Sequence, residues 1–167
     1  MESKAKLIAF AGSNSSTSIN KRLVSLTLKQ LPDFDSELLD LNQFEMPIYS
    51  IDREKAGGIP EEATRFRQFM QESDGIVCSL AEHNNSYTVA FKNVLDWCSR
   101  VDLNIFAGKP MLLMSSSPGG YGGGNVMKTA ESFFPKCGAK ITGTFSLPKF
   151  YENFDDSDIK NKEFKNE

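Results

Sequence analysis

The chain has 167 residues, 40% apolar and 25% charged, and carries a formal net charge of −3. Its length suits one domain with a single core, and its mildly acidic balance argues against nucleic acid or an anionic membrane as the main partner. No apolar run approaches the roughly 20 residues that span a bilayer, and residues 1–6 lack the plan of a signal peptide.

The first predicted strand covers residues 7–11, a short apolar run of the kind that is buried on both faces of a sheet. The loop that follows, residues 12–20, has the sequence G-S-N-S-S-T-S-I-N and leads into a helix predicted over residues 18–31. Small residues let a backbone close around an anion, while hydroxyls, amides and the helix N-terminus donate hydrogen bonds to it. The loop therefore indicates a phosphate site. The alternative is a turn at Gly12 followed by an ordinary helix cap.

The next predicted elements are a second strand over residues 36–41 and a helix over residues 60–74. The second strand is less apolar than the first, which places it at the edge of the sheet. Residues 42–58 form a long connection between these two elements. A connection of this length suggests either a partner surface or the wall of a ligand site.

A third buried strand is predicted over residues 75–80, and a polar loop over residues 81–86 follows it. Backbone and amide groups of this loop could hydrogen-bond the edge of a heterocycle. The alternative is a solvated loop in which Asn84 and Asn85 adopt positive φ. Because His83 is the only histidine, we expect neither a zinc site nor a histidine-based triad.

The second half of the chain predicts a helix over residues 87–100, a fourth strand over 110–114, a helix over 126–137 and a fifth strand over 140–147. The loop before the last helix is glycine-rich from Gly119 to Gly124, interrupted only by Tyr121. Glycine lets a flat ligand lie against the backbone, so this loop indicates a ligand wall, with a flexible linker as the alternative. Residues 149–167 are charged and poorly periodic, which predicts a surface appendage or a disordered tail.

This alternation predicts an α/β fold, a five-stranded parallel sheet in the order 2-1-3-4-5 with helices on both sides. Residues 1–148 would form one domain and residues 149–167 its tail. In such a sheet the loops after strands one, three and four meet beyond the carboxyl ends of the strands, where ligands bind. Those are the three unusual loops of this chain. The G-x-G-x-x-G pattern of Rossmann sites and the G-x-x-x-x-G-K-[ST] pattern of P-loop NTPases are both missing from the expected positions.

The cysteines, Cys78, Cys98 and Cys137, are odd in number, far apart and each set in an apolar pattern. These features are typical of buried free thiols in a reducing compartment, and not of a disulfide framework or a metal site. We therefore predict a cytoplasmic protein without a metal centre.

Three motifs resemble signatures of the NADPH-dependent FMN reductase family, a group of flavodoxin-like flavoproteins. Residues 12–20 resemble the family's phosphate loop, G-S-x-R-x-x-S-x-N. Residues 81–97, A-E-H-N-N-S-Y-T-V-A-F-K-N-V-L-D-W, resemble its P-E-Y-N-x-S-x-P-G-x-L-K-N-x-x-D-W segment. Lys109-Pro110, followed by S-P-G-G-Y-G-G at residues 117–123, is similar to its third signature. The resemblance covers nearly the whole chain and implies a flavodoxin-like three-layer sandwich.

The resemblance implies FMN as the cofactor and NADPH or NADH as the co-substrate. Ser13, Ser18 and Asn20 would hold the phosphate, and the two later loops would contact the isoalloxazine ring. The helix at residues 92–97 matches one that pairs subunits in this family, so we expect a homodimer or homotetramer. No catalytic side chain is required, because the flavin carries the chemistry. The residues expected to bind the cofactor are Gly12, Ser13, Ser15, Ser18, Ile19, Asn20, Glu82, His83, Asn84, Asn85, Ser117, Gly119, Gly120 and Tyr121.

The chain departs from the family pattern at three places. Ser15 stands where the family has an arginine, His83 where it has a tyrosine, and Thr88-Val89 where it has Pro-Gly. Phosphate binding would therefore rest on neutral donors and the helix end. The implied activity is hydride transfer from NAD(P)H to FMN and reduction of a small-molecule acceptor such as free flavin, a quinone, an azo compound or a metal ion. The alternatives are a flavodoxin-type electron carrier and a flavin-binding sensor without turnover.

Overall fold

A parallel sheet of five strands organises the computed structural model, which describes residues 4–155 and 157–165. Its strands are β1 (Lys6–Ala11), β2 (Asp35–Leu39), β3 (Gly75–Leu80), β6 (Pro110–Ser116) and β7 (Lys140–Leu147), while β4 (Glu82–His83) and β5 (Ser86–Tyr87) form a separate hairpin. The spatial order is β2-β1-β3-β6-β7, and each neighbouring pair is parallel. The predicted 2-1-3-4-5 order is confirmed, with the less apolar β2 at the edge.

Helices cover both faces of the sheet. They are α1 (Ile19–Lys29), α2 (Ile51–Gly57), α3 (Glu61–Glu72), α4 (Val89–Val101), α5 (Gly124–Phe133), α6 (Phe150–Asn153) and α7 (Lys162–Lys165), with 3-10 turns at Leu41–Phe44 and Phe134–Cys137. The last predicted helix changes into a 3-10 turn where Pro135 lacks a backbone N–H. The turn ends at Gly138, whose φ of 83° gives the left-handed cap that the sequence indicates.

The larger core lies between the sheet and helices α3, α4 and α5. Phe10 of β1 packs edge-on against Phe66 of α3, with ring centroids 5.3 Å apart, and also contacts Phe91 of α4. All three rings are fully buried, and each contributes roughly 1.5–3 kcal/mol to folding. This packing gives a fixed base to the sheet edge where the functional loops emerge.

Residues 42–58 run along the surface and are attached to α4 by side chains of that helix. Asn93 accepts a hydrogen bond from the Tyr49 N–H at 2.9 Å and donates to the Met46 carbonyl at 3.0 Å. Trp97 donates from its indole to the Pro47 carbonyl at 2.7 Å and is only 1% exposed. Trp97 therefore packs inside its own chain. This tryptophan belongs to the helix segment that was expected to pair subunits, and the oligomeric state stays a prediction.

The segment after β7 differs from the prediction of a surface appendage. Phe150 and Phe154 are buried, with ring centroids 4.4 Å apart, and they join the smaller core that α1 forms on the other face of the sheet. The prediction is wrong for these two residues, because a helix of only four residues is too short to show an apolar period. Residues 156, 166 and 167 of the predicted tail lie outside the described residues.

Among the described helices, none has both the length and the apolar character needed to cross a bilayer. All three cysteines are buried and free of disulfides, as the sequence indicates. Burial raises the pKa of the Cys98 thiol to about 12, so this thiol stays protonated at neutral pH.

Candidate functional site

The loops after β1, β3 and β6 meet at the carboxyl edge of the sheet, and Asn20 of α1 joins them. Its side-chain amide donates to the Ser116 carbonyl at 3.1 Å and accepts from the Ser79 hydroxyl at 2.7 Å. Asn20 is 1% exposed. The structure therefore uses this side chain, which was expected to contact a phosphate, to hold strand ends together. Its backbone N–H, in the first turn of α1, has no partner within the helix and remains a donor for a ligand.

The phosphate loop is curled by its own hydroxyl groups. Ser13 Oγ accepts from the Ser15 N–H at 3.2 Å, and Ser15 Oγ accepts from the Thr17 N–H at 3.3 Å. Ser18 caps α1 by accepting from the Lys21 N–H at 3.2 Å, which leaves the Ser18 hydroxyl proton to donate elsewhere. The loop thus presents hydroxyl and amide donors next to a helix N-terminus, the arrangement that binds anions.

Gly12 connects the phosphate loop to helix α4. A Cβ atom at this position would lie 3.0 Å from Leu80 Cδ2 and 3.3 Å from Phe91 Cδ1, so a larger residue would require these two side chains to shift. Thr88 donates its hydroxyl to the Gly12 carbonyl at 2.9 Å and caps α4 by accepting from the Phe91 N–H. Thr88, which departs from the family pattern, therefore fixes the end of β1 to the start of α4.

The polar loop after β3 is a hairpin, in which β4 and β5 are joined by Asn84 and Asn85. Both asparagines have positive φ, 51° and 63°, as a two-residue turn of the I′ kind requires. The sequence predicted the polar character and the possible positive φ of this loop but not the strand pair. His83 is exposed in β4 and lines the cleft described below.

Glu82 caps helix α5 with its carboxylate. Oε2 accepts from the Val126 N–H at 2.8 Å and Oε1 accepts from the Asn125 side chain at 3.2 Å. Asn125 also donates to Asn85 Oδ1 at 3.0 Å, which ties the hairpin to α5. The Glu82 side chain is therefore engaged by the protein, and its backbone is the part that remains for a ligand edge.

The glycine-rich loop contains two kinds of glycine. Gly122 and Gly123 are buried with φ of 62° and 81°, and a Cβ at Gly122 would lie 2.4 Å from Ser146 Oγ. Gly119 and Gly120 are exposed, without positive φ, and a Cβ at Gly120 would have nothing within 4 Å. Positive φ and close neighbours explain Gly122 and Gly123, whereas open space lies beside Gly120. A missing side chain at an exposed, unstrained position is consistent with room kept for a ligand.

The segment after β7 holds this glycine loop by its backbone. Lys149 N–H donates to the Gly119 carbonyl at 2.8 Å, and Phe150 N–H donates to the Ser117 carbonyl at 3.1 Å. Sequence reasoning missed Lys149, because neither its neighbours nor a periodic pattern indicates a contact between the last strand and the fourth loop.

A cleft of about 290 Å³ opens beside the phosphate loop. Asn42 links one wall to the loop, since its side chain donates to the Asn14 carbonyl at 3.1 Å and to Asp40 Oδ1 at 2.8 Å. Asp40 also binds the Lys21 ammonium at 2.8 Å, and this hydrogen bond is the main cause that lowers the Asp40 pKa to about 2. The lining residues are Asn14, Leu41, Asn42, Phe44, Glu45, Met46, Ile48, His83, Thr88, Val89, Ala90 and Asn93. Residues 42–58, predicted as a possible wall of a ligand site, and the polar loop after β3 thus both contribute to the lining of this cleft.

Several apolar side chains are exposed near the site. Ile48 and Val89, which both line the cleft, are 64% and 70% exposed. Tyr121 is 54% exposed, and its hydroxyl accepts from the Lys128 ammonium at 2.8 Å. Such apolar groups around a polar cradle are typical of a ligand or partner contact.

Comparison with known proteins identifies the family to which the chain is similar. The family model described as NADPH-dependent FMN reductase matches residues 5–152. An NADPH:quinone oxidoreductase of Arabidopsis thaliana is 34% identical over 123 residues, covering 71% of this chain and 61% of that protein. A quinone reductase of Escherichia coli K12 is 31% identical over 124 residues, covering 74% of this chain and 65% of that protein. The matched part thus spans somewhat less than two thirds of these relatives.

Solved structures agree with the fold. A flavoenzyme NAD(P)H:(acceptor) oxidoreductase from Paracoccus denitrificans superposes with a TM-score of 0.70 at 24% identity, covering 95% of this chain and 88% of that one. An azoreductase from Bacillus anthracis gives a TM-score of 0.67 at 16% identity, covering 89% and 88%. At these identities the comparison establishes the flavodoxin-like architecture.

Proposed function

Because the chain belongs to the NADPH-dependent FMN reductase family, we propose that it is an FMN-dependent NAD(P)H oxidoreductase that reduces a small-molecule acceptor. The observation that carries the proposal is the open space beside Gly120, in a loop that the hydrogen bond from Asn20 to Ser116 joins to the hydroxyl-rich loop before α1. When bound, FMN takes a hydride from the nicotinamide and passes electrons to the acceptor.

The residues of the first loop fit the phosphate of FMN. The Ser18 hydroxyl has a proton to donate, and the N–H groups of Ile19 and Asn20 belong to the first turn of α1, where helical partners are lacking. In the same loop Ser13 is partly exposed and Ser15 is exposed. These donors bind a terminal phosphate through hydrogen bonds and the helix dipole.

The other two loops fit a flat ring. Open space lies beside Gly120, and the hairpin with Asn84 and Asn85 offers backbone and amide groups for a polar ring edge. The cleft beside His83 then provides the place for the nicotinamide and, after its departure, for the acceptor. Use of one cleft by donor and acceptor in turn implies ping-pong kinetics.

We propose a quinone as the first acceptor to test, since relatives from plants and bacteria carry the names quinone oxidoreductase and quinone reductase. Free flavin, an azo compound and a metal ion are the other acceptor classes. We further propose a homodimer or homotetramer, supported by the exposed Ile48 and Val89 at the cleft. A cytoplasmic location is in keeping with the three free thiols.

The experiment that tests this function starts from the purified chain reconstituted with FMN. A flavin absorption band should appear, anaerobic NADPH or NADH should bleach it, and turnover with a benzoquinone should give parallel double-reciprocal lines. If dithionite reduces the bound flavin but neither nucleotide does, the protein is an electron carrier and not a reductase. Lack of a flavin band after reconstitution would exclude both.

A further inference from the structure

The phosphate loop lacks a positive charge of its own. Residues 12–20 contain neither lysine nor arginine, and Ser15 occupies the position of the family's arginine. A phosphate monoester carries close to two negative charges at neutral pH. Neutral donors alone leave this charge without a cation, so a cation from another element would strengthen phosphate binding.

The two basic side chains near the start of α1, Lys21 and Arg22, already contact other groups of the protein. The Lys21 ammonium is 2.8 Å from Asp40 Oδ2, and the Asp40 pKa is lowered accordingly. The Arg22 guanidinium lies 5.2 Å from the ring centroids of both Phe150 and Phe154. Either side chain would have to leave an existing contact in order to reach a ligand.

Lys149 is fixed at the site by its backbone and has a weakly held side chain. Its N–H binds the Gly119 carbonyl at 2.8 Å, which places this residue directly beside the glycine loop. Its ammonium is 3.4 Å from a Glu152 carboxylate oxygen, and the two side chains are 55% and 70% exposed. An exposed ion pair of this kind contributes little and is readily exchanged for another anion.

The backbone of Lys149 is in a conformation that lysine rarely adopts. Its φ of 47° and ψ of 54° lie in the left-handed region, where glycine or asparagine is usual. Hydrogen bonds hold this geometry, because the Lys149 carbonyl accepts from Asn153 N–H at 3.1 Å and Asn153 donates to the Pro148 carbonyl at 2.8 Å. A lysine kept in a strained conformation beside a binding loop points to a role for its side chain.

We infer that Lys149 supplies the positive charge for the phosphate of the bound cofactor, in place of an arginine within the phosphate loop. The inference rests on the proposed binding of FMN. Its four-carbon side chain starts from a backbone that binds Gly119, and the next residue, Phe150, is buried in the core that α1 forms with the sheet. From there the ammonium can exchange Glu152 for the phosphate. Lys149 is thus a binding residue contributed by the segment after β7.

The test compares FMN with riboflavin, which has the same ring but no phosphate. Apo-protein is titrated by flavin fluorescence quenching for the wild type, Lys149→Met, Lys149→Gly and Lys149→Arg. We expect both neutral variants to bind FMN about tenfold more weakly at low salt, with riboflavin affinity unchanged and with affinity restored by arginine. Lys149→Gly accepts the left-handed conformation, so it separates loss of charge from loss of backbone geometry.

The matched control is Lys140→Met, which removes one positive charge from the exposed start of β7. Its FMN affinity should equal that of the wild type. Wild-type protein that binds FMN while both neutral Lys149 variants keep wild-type affinity would overturn the inference and leave the proposed function intact. Equal weakening of FMN and riboflavin would also overturn it, since that result means a structural role. Failure of the wild type to bind FMN would instead overturn the proposed function.

Discussion

The Asn20 side chain lies 3.1 Å from the carbonyl oxygen of Ser116, which joins the first turn of α1 to the end of β6. Together with the bond from Ser79, this contact is buried beneath the site. One buried amide therefore helps to hold the start of α1 against the ends of β3 and β6 through contacts within the protein.

Replacing Asn20 by alanine should lower the free energy of unfolding by more than it lowers the free energy of FMN binding. The change leaves the Ser116 carbonyl and the Ser79 hydroxyl buried without this partner, which costs about 2–4 kcal/mol. Urea unfolding of apo-protein measures the loss, and Ser79→Ala, which removes one of the two bonds, should cost about 1 kcal/mol. Wild-type stability in Asn20→Ala together with lost FMN binding would contradict this view and support direct contact with the ligand.

Replacing Ser18 by alanine should weaken FMN binding by about 1.5–3 kcal/mol, because a hydroxyl donor to a charged group is lost. The same change removes the cap on the Lys21 N–H and lowers the free energy of unfolding by about 1 kcal/mol. Calorimetric titration with FMN gives the first value and urea unfolding the second. Ser50→Ala, which removes the cap of α2, is the matched control and should leave FMN affinity unchanged.

Replacing Gly120 by valine should abolish flavin binding while the fold survives. A Cβ there meets nothing within 4 Å in the protein, so the added side chain occupies only the space proposed for the ring. Gly122→Val is the contrasting variant, since its Cβ would lie 2.4 Å from Ser146 Oγ and its φ is positive. Circular dichroism and FMN titration should show a folded, flavin-free Gly120→Val and a destabilised Gly122→Val. Full flavin retention in Gly120→Val would refute the ring contact.

The ion pair between Lys21 and Asp40 predicts a pH-dependent contribution to stability. The folded-state pKa of Asp40 is about 2, below its ordinary value of 3.8. A lowered carboxyl pKa stabilises the fold above the ordinary value, and this contribution disappears as pH falls through the folded value. Since both side chains are 38% exposed, Asp40→Asn should lose only about 1 kcal/mol at neutral pH. The difference between wild type and variant should shrink below about pH 4, and a difference independent of pH would contradict the assignment.

The exposed Val89 at the start of α4 predicts that an apolar contact between copies forms near the cleft. Val89→Asp should shift the protein from oligomer to monomer in light scattering, because a carboxylate would be buried at the contact. The fold should be kept, since an acidic residue is favourable in the first turn of a helix. Leu103→Asp, at a position 69% exposed outside the cleft lining, is the control and should leave the assembly unchanged. A wild-type monomer with flavin bound would defeat the prediction.

The sequence was sufficient to predict the fold and the meeting of the three unusual loops at one sheet edge, because buried parallel strands are continuous apolar runs and the loops after them lie at their carboxyl ends. It predicted less well how individual polar side chains are used. Asn20 and Glu82 stand in loop motifs, yet each satisfies backbone or hydroxyl groups of the protein. A motif gives residue type and spacing, whereas the choice between ligand and protein partner depends on distances across elements.

The contacts made by the segment after β7 could also not be predicted from the sequence. The hydrogen bonds from Lys149 and Phe150 to the glycine loop are made by backbone N–H groups, which every residue type except proline carries. The burial of Phe150 and Phe154 depends on their packing against residues of α1. No local pattern specifies either feature, so tertiary structure is needed to find them.

The three buried thiols have a consequence for a protein proposed to handle quinones, which are electrophiles that alkylate exposed thiolates. Cys78 and Cys98 have no exposed surface and Cys137 has 3%, and burial raises the pKa of each thiol. The reactive species of cysteine is the thiolate, which is therefore both scarce and shielded here. The thiols of this chain are therefore poor targets for alkylation by an acceptor of the class proposed above.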